Sequence, residues 1–400
     1  MSGFRVTNGS LRQAFLNTLQ QAQQRLQQTQ TQISTGSRVN QPSDDPLAAA
    51  QLREIEASLA RMDQYQSNAL LAQNRLGIEE ETLVGVVNGV QRIRELAIQA
   101  NNATAGQGSR DAIAVELREQ FTNLLALANS TDGQGRYLFA GFSEQTQPFI
   151  QTAGGISYAG DDGQHSVMIS DHRLLATGDS GLAVFERIRN GNGTFSLAAN
   201  PANTGTGVLG AGTVVDPALF VPDTYTIEFV TTTDYEVRDS GGGLVVAGTY
   251  SRPQTLSFLG IQVELDGDPA LNDTFTVSPS VNQSLFETVS DLIAAIETPT
   301  ASGSSQALLH NEVGQALADL DLALEHVIDI RGEIGARLRA IDSEIALNEG
   351  FSVQLSETLS GIQDVDYAEA ISSLSQQLFG LEATQQAFAR MQGLSLFRFL

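Results

Sequence analysis

The sequence has no cysteine, and all 22 of its basic residues are arginine, so lysine is absent as well. The missing thiol excludes disulfides, thiolate metal sites and a cysteine nucleophile. The missing amine excludes the P-loop, whose motif requires Gly-Lys-Ser/Thr, and every enzyme that works through a lysine Schiff base. No stretch approaches the roughly eighteen apolar residues of a transmembrane helix. The N-terminal MSGFRVTNGSLRQ lacks the apolar segment of a Sec-type signal peptide. Taken alone, these features suggest a cytoplasmic protein, although an export route that reads a polar N-terminus would leave the same trace. Neither a GxSxG nor an HExxH motif occurs.

Four hundred residues suggest two or three domains with a sizeable core. The formal net charge of −24 and a pI near 4.4 make a nucleic-acid partner unexpected. That charge is unevenly placed. Residues 1–43 hold Arg5, Arg12, Arg25 and Arg38 and no acid, and after Glu382 only Arg390 and Arg398 are charged. Two mildly basic ends flank an acidic middle.

Periodicity organises the chain. Phe15, Leu19, Ala22, Leu26, Thr29 and Ile33 alternate steps of four and three, a heptad seam on an otherwise Gln-rich helix. Gly36 supplies a stop, and residues 37–42 read as an extended connection. Next comes PSDDPLAAAQL, where Asp45 before Pro46 reads as an N-cap followed by the first helical residue, because a carboxylate accepts orphan amides and proline is preorganised there. The alternative, an acid/base or metal-binding pair at Asp44 and Asp45, has no histidine or third carboxylate nearby in sequence. A seam then runs through Met62, Tyr65, Ala69, Ala72, Leu76, Glu79, Leu83, Val86, Val90, Ile93 and Ala97, and another helix follows the loop at 101–108.

Near Asp132 the texture changes to Gly, Thr, Asp and β-branched residues in short alternating runs. TYTIEFV places Tyr225, Ile227 and Phe229 on one face, and DSGGG from Asp239 reads as a hairpin turn into LVVAGTY. Helix returns at Ser284. Its longest seam comprises Val313, Leu317, Leu320, Leu324, Val327, Arg331, Ile334, Leu338, Ile341, Ile345, Asn348, Ser352, Leu355, Leu359 and Ile362, without a slip. Such a seam asks for a partner helix, and 47–100 matches it in length. A break at GIQDVDYAEAISSL, with Asp366 and Glu369 as a capping box, starts a last helix. Its stripe is Ile371, Leu374, Leu378, Leu381 and Phe388, and it ends in the apolar LSLFRFL with Leu396 and Phe397.

The expected fold is mainly α with an inserted β-rich domain: long N- and C-terminal helices pair as an antiparallel coiled-coil bundle, and the middle segment forms a distal β domain. The expected segments are an N-terminal amphipathic assembly segment 1–42 pairing with 364–400, a helical rod from 43–132 and 284–363, a β-rich outer domain 133–283, and the C-terminal assembly helix 364–400. A lone pair of short end helices cannot bury both faces, so the two stripes are assigned to contacts between molecules. Catalytic chemistry finds little support. His165, His172, His310 and His326 are scattered, and YAGDDGQ and LDGDPALND lack EF-hand spacing and suit hairpin turns. No enzyme activity, cofactor or metal is expected.

Two motifs resemble a known family. ISTGSRVNQPSDDP is similar to the N-terminal signature of the bacterial flagellins through Ser34, Gly36, Arg38, Val39, Asp44 and Asp45. DVDYAEAISSL is similar to its C-terminal counterpart through Asp364, Asp366, Tyr367, Ala368, Ser372 and Leu374. Pro46, the ending LSLFRFL, and the segments GDSGLAVFERI and GDPALNDTFTVSPS resemble the hook-associated branch of the family. The NIANxxTPGY-like motif of its longer, FlgK-type members is absent. The resemblance implies a structural adaptor, exported unfolded through the flagellar type III apparatus and located outside the cell at the hook–filament junction after a transient cytoplasmic stage. Its implied partners are a neighbouring FlgK-like hook-associated protein, flagellin, copies of itself in a ring, and a FlgN-like cytoplasmic export chaperone, with no nucleic acid and no membrane. The rival readings are a filament-forming flagellin and, from another class, a hydrolase or Ca²⁺-dependent binding module in the β domain.

Overall fold

Where the heptad steps run, the chain is helical: α1 (Asn8–Thr35), α2 (Pro46–Ala100), α3 (Gln107–Ala128), α4 (Leu285–Glu297), α5 (Gly303–Gln363) and α6 (Tyr367–Leu396). The computed structural model describes residues 8–102 and 106–396. It comprises two compact units, Met1–Ser67 with Glu344–Leu400, and Asn68–Ser343. The unit boundaries fall inside α2 and α5, and not at the helix breaks near residues 42 and 363. No described helix is long and apolar enough to cross a membrane.

Within Asn68–Ser343, α2 and α5 pack along the expected seams. Ala69, Ala72, Leu76, Glu79, Leu83, Val86, Val90, Ile93 and Ala97 are all buried. On α5, Val313, Leu320, Val327, Ile334 and Ile341 are buried, while Leu317, Leu324, Arg331 and Leu338 between them are only half-buried. On α5, therefore, one residue per heptad is enclosed and the next lies at the flank of the contact. Polar pairs border the seam: Gln73 Nε2 donates to Asp342 Oδ1 (2.7 Å), Arg331 to Glu80 Oε1 (2.7 and 3.0 Å), and Arg94 Nε to Asp321 Oδ1 (2.5 Å). The α2 number rises as the α5 number falls, which makes the pair antiparallel. Each fully buried branched side chain contributes about 1.5–3 kcal/mol relative to exposure.

Two glycines let α3 approach α2. A Cβ at Gly85 would sit 3.2 Å from the Leu127 side chain, and one at Gly89 would sit 3.0 Å from that of Leu124. On its other side α3 meets α4, where Phe121 and Phe286 pack edge to face at 6.1 Å.

The strands all lie between α3 and α4. Two short hairpins come first, β1 (Phe149–Thr152) with β2 (Gly155–Tyr158) and β3 (Ser166–Ser170) with β4 (Arg173–Ala176). Phe149 and Phe185 pack against Phe286 of α4 and against each other, and Phe139 packs on Phe185, at ring distances of 5.0–5.7 Å, which seats this region on the helices. After β5 (Ile188–Arg189) come β6 (Phe195–Ala199), β7 (Val208–Val214), β8 (Tyr225–Phe229), β9 (Asp234–Arg238), β10 (Leu244–Thr249), β11 (Gln254–Phe258), β12 (Ile261–Asp266), β13 (Thr274–Pro279) and β14 (Asn282–Gln283). They form a five-stranded sheet ordered β10-β9-β8-β13-β6, a three-stranded sheet ordered β11-β12-β7 and the pair β14-β5, all antiparallel.

Alternation decides which side chains enter the core between the two larger sheets. Tyr225, Ile227 and Phe229 point in from β8, Ile261, Val263 and Leu265 from β12, and Phe275 and Val277 from β13. The DSGGG turn closes β9 onto β10 as an Asx turn: Asp239 Oδ1 accepts the amides of Gly241 (3.0 Å) and Gly243 (2.7 Å).

Candidate assembly site at the paired chain ends

The end helices α1 and α6 pair with each other inside the unit Met1–Ser67 with Glu344–Leu400. Phe15 stacks on Phe388, with ring centroids 5.0 Å apart and planes 16° from parallel. Toward the other end of the pair, Gln377 Nε2 donates to Thr29 Oγ1 and to Ser373 Oγ, both at 3.1 Å, while Gln377 Oε1 is buried with no partner among the described residues. Numbers rise on one helix as they fall on the other, so this pair is antiparallel too.

At its inner end the pair is closed by a clasp, built where the break between α1 and α2 meets the break between α5 and α6. Gly36 takes φ +74°, where a β-carbon is costly, and its N–H closes the last turn of α1 on Gln32 O (2.9 Å). A Cβ there would stand 3.1 Å from the Tyr367 hydroxyl. Ser37 and Asp364 form an isolated antiparallel bridge, with Val365 N–H donating to Gly36 O (3.0 Å) and Arg38 N–H to Gln363 O (2.7 Å).

The Arg38 guanidinium spans two helix ends. Nε and Nη2 donate to Ile362 O (3.2 and 2.9 Å), an orphan carbonyl at the end of α5, and Nη1 pairs with Asp45 Oδ2 (3.3 Å) at the start of α2. Asp45 is the N-cap: its Oδ1 accepts the Ala48 N–H at 3.0 Å. That bond first, and Arg38 after it, hold the Asp45 carboxyl below the usual range. Asp44 has a different task. Its Oδ2 accepts the amides of Asn40 (3.1 Å) and Gln41 (2.9 Å), and its Oδ1 accepts Gln28 Nε2 (3.1 Å), which ties the connection back onto α1.

On the C-terminal side Asp366 Oδ1 accepts the amides of Ala368 (2.8 Å) and Glu369 (3.2 Å), starting α6, and Asp364 accepts the Ser360 hydroxyl. The Ser34 hydroxyl donates within its own helix, to Thr31 O (2.9 Å).

The structure divides the residues expected at contacts between molecules. Phe15, Leu19, Leu26 and Ile33 on α1, and Leu374, Leu381 and Phe388 on α6, are half-buried. Ile371 and Leu378, placed by apolarity on the same stripe, are instead exposed, at 52% and 46%. The buried side of α6 runs through Ala370, Leu374, Gln377, Leu381, Thr384 and Phe388, alternating steps of four and three without a slip. Spacing alone would have found Ala370, Gln377 and Thr384; ranking residues by apolarity hid them. Tyr367 and Phe379 join Ile371 and Leu378 as large exposed side chains of α6, Phe379 at 76%. The Leu396 side chain and Phe397 lie outside the described residues.

His326 Nε2 bonds Ala183 O (2.7 Å) and His310 Nδ1 bonds Asn101 Oδ1, each holding backbone or side chain in place. The aspartates of the two loops that could suggest calcium are engaged by the protein. Asp161 accepts the Phe142 and Gly163 amides, Asp162 takes Arg187, Asp266 and Asp268 take Arg252, and Asp273 accepts the amides of Thr204, Gly205 and Ala270. Among the described residues no group of three or more such side chains is arranged for a metal ion. The stretch Gly205–Gly210 has GxGxxG spacing, but it leads into strand β7 and not into a helix N-terminus, so it offers no dinucleotide cradle.

Comparison with known proteins adds a family to this geometry. Residues 6–144 match the family described as the bacterial flagellin N-terminal helical region. Flagellar hook-associated protein 3 of Escherichia coli is 26% identical over 372 residues, covering 92% of this chain and 90% of that protein. The crystal structure of FlgL from Xanthomonas campestris superposes with a TM-score of 0.73 at 35% identity, over 76% of this chain and 99% of that one. The flagellar junction protein FlgL from Legionella pneumophila gives 0.72 at 31%, over 78% and 100%.

Proposed function

The chain belongs to the family of FlgL, the hook-associated protein 3 of bacterial flagella, and from that premise we propose that it is the adaptor joining hook to filament. It works by shape and contact. The proposed arrangement is a ring of copies seated on a FlgK-like hook-associated protein and receiving the first flagellin subunits, after export through the flagellar type III apparatus with a FlgN-like chaperone holding the last helix.

The observation that carries this reading is the apolar surface left over once α1 and α6 have paired. Tyr367, Ile371, Leu378 and Phe379 stay exposed on α6, although a soluble monomer gains nothing from presenting them. The clasp gives that surface a fixed place relative to the start of α2 and the end of α5, because Arg38 bonds to both. The expected assembly residues are thus of two kinds: those that form the α1–α6 pair, and those that the pair presents.

Electron microscopy of cells lacking the protein tests the proposal. The expected outcome is hooks without filaments, with flagellin shed into the medium. Hooks carrying normal filaments would defeat it. Long filaments formed by the purified protein alone would favour a filament-forming flagellin instead.

A further inference from the structure

The motif GDSGLAVFERI takes no part in the assembly reading, yet it makes close contacts with the helix pair within Asn68–Ser343. Gly178 passes so near α2 that a Cβ would stand 3.4 Å from Glu79 Oε2 and 3.5 Å from Arg75 Nε. The Asp179 N–H donates to Glu79 Oε1 (3.0 Å), and the Asp179 carboxylate accepts both terminal nitrogens of Arg337 on α5 (2.7 and 3.0 Å) and Gln164 Nε2 (2.9 Å). On either side, Thr177 N–H donates to His165 O (2.8 Å) and Gly181 N–H to Phe139 O (2.8 Å). The segment thereby carries the β3–β4 hairpin onto the helices.

Glu79 occupies a seam position between Leu76 and Leu83 and is 1% exposed. Among the described residues it forms no ion pair. Both nearby arginines have their ion pairs elsewhere, Arg75 with Glu144 (2.5 Å) and Arg337 with Asp179 (2.7 Å), and their charges pull the Glu79 carboxyl down less than its burial pushes it up. The other charged or titratable groups around it are Glu333 beside Arg337 on α5, Arg136 beside Glu144 in the loop after α3, and His165 of the hairpin, 3.4 Å from Glu144.

We propose that Glu79 is a proton-linked latch: its neutral carboxyl holds the Gly178–Gly181 segment, and with it the β3–β4 hairpin, against α2, and its ionisation loosens that hold. An ionised carboxylate would accept the Asp179 N–H more strongly, but one amide does not replace the water shell that a buried anion gives up. Burial first, and the neighbouring Asp179 carboxylate second, push the Glu79 carboxyl well above its usual range. The sign follows. A carboxyl raised in the folded state takes up a proton on folding, so the contribution is complete below the ordinary glutamate pKa. It is lost as pH rises through the folded value.

Hydrogen exchange of the full chain, read residue by residue from about pH 5 to 9 and corrected for the intrinsic rate, tests the latch. The amides of Thr177, Asp179 and Gly181 should lose protection by up to about tenfold per pH unit once Glu79 ionises. The Phe229 amide, bonded to Asp273 O at 2.9 Å in the β domain, should not follow. In Glu79→Gln the three amides should show no such slope. Should that variant fail to fold, the natural protein still decides. A flat profile at Asp179, or an equal loss at Asp179 and Phe229, overturns the latch, as does a Glu79→Gln protein that keeps the slope.

Discussion

At the scale of single residues, the break between α1 and α2 depends on two adjacent aspartates that do unlike things. Asp45 caps a helix through the Ala48 amide, and Asp44 organises the preceding turn through the amides of Asn40 and Gln41. Asp45→Ala should cost about 1 kcal/mol, while Asn or Ser should cost a few tenths, because either can still accept the amide. The Arg38–Asp45 ion pair adds little to this difference, since both side chains are well exposed, at 46% and 38%. Denaturant midpoints of the three variants, with and without a chelator, give the check. A metal or acid/base site would punish Asn as severely as Ala. The cap also sets a pH dependence: the Asp45 contribution is present above the ordinary aspartate pKa and fades as pH falls through its lowered folded value.

Among the elements, α5 shows how one heptad contains two kinds of position. Ile334 is fully buried, whereas Leu338, on the same seam, is half-buried and can keep part of its surface wet. An aspartate at Ile334 should therefore destabilise by several kcal/mol, roughly 3–5, as an unpaired buried charge does. Leu338→Asp should cost less, and Gln354→Asp, at an exposed position of the same helix, should stay within about 0.5 kcal/mol. Thermal unfolding of the three variants orders them; equal losses at Ile334 and Gln354 would mean the seam does not exist. The α1–α6 pair is built differently. Among the described residues its facing side chains are mostly half-buried, with only Thr29 and Ala370 buried, so it has much less apolar burial to hold it closed.

At the scale of the molecule, that difference predicts an order of opening. Because every basic residue is arginine, trypsin reports at few places. Arg25 and Arg390, exposed on the end helices, should be cut first in the free protein. Arg38, tied to Ile362 O and Asp45, should follow more slowly. Arg75 and Arg337, held between α2, α5 and the hairpin, should be cut last, since cleavage there needs the core to open. In intact hook–filament preparations the sites on α1 and α6 should be protected as well. Mass spectrometry of the first stable fragment distinguishes the outcomes. Early loss at Arg75 or Arg337 with Arg25 and Arg390 intact would place the ends in the stable core and overturn this order of opening.

Features that depend on near neighbours along the chain are legible in the residues alone. Steps of four and three set the seams of α1, α2 and α5, alternation set the inward face of β8, and Asp45 before Pro46 marked a helix start, because each of these preferences acts within a few residues. Tertiary structure alone decided which elements meet. The order β10-β9-β8-β13-β6 joins segments far apart in sequence, and several alternating strands have equivalent claims as neighbours. Likewise Ile371 and Leu378 were as apolar as Leu374 and Leu381, and only the line along which α1 lies sent one pair outward and the other inward. Arg38 could be read as a signature residue but not as a bridge from Ile362 O to Asp45, and Glu79 could be read as a seam position but not as the acceptor of the Asp179 amide. Each of those bonds joins residues that no local spacing relates, and their geometry exists only once the helices and the hairpin have packed.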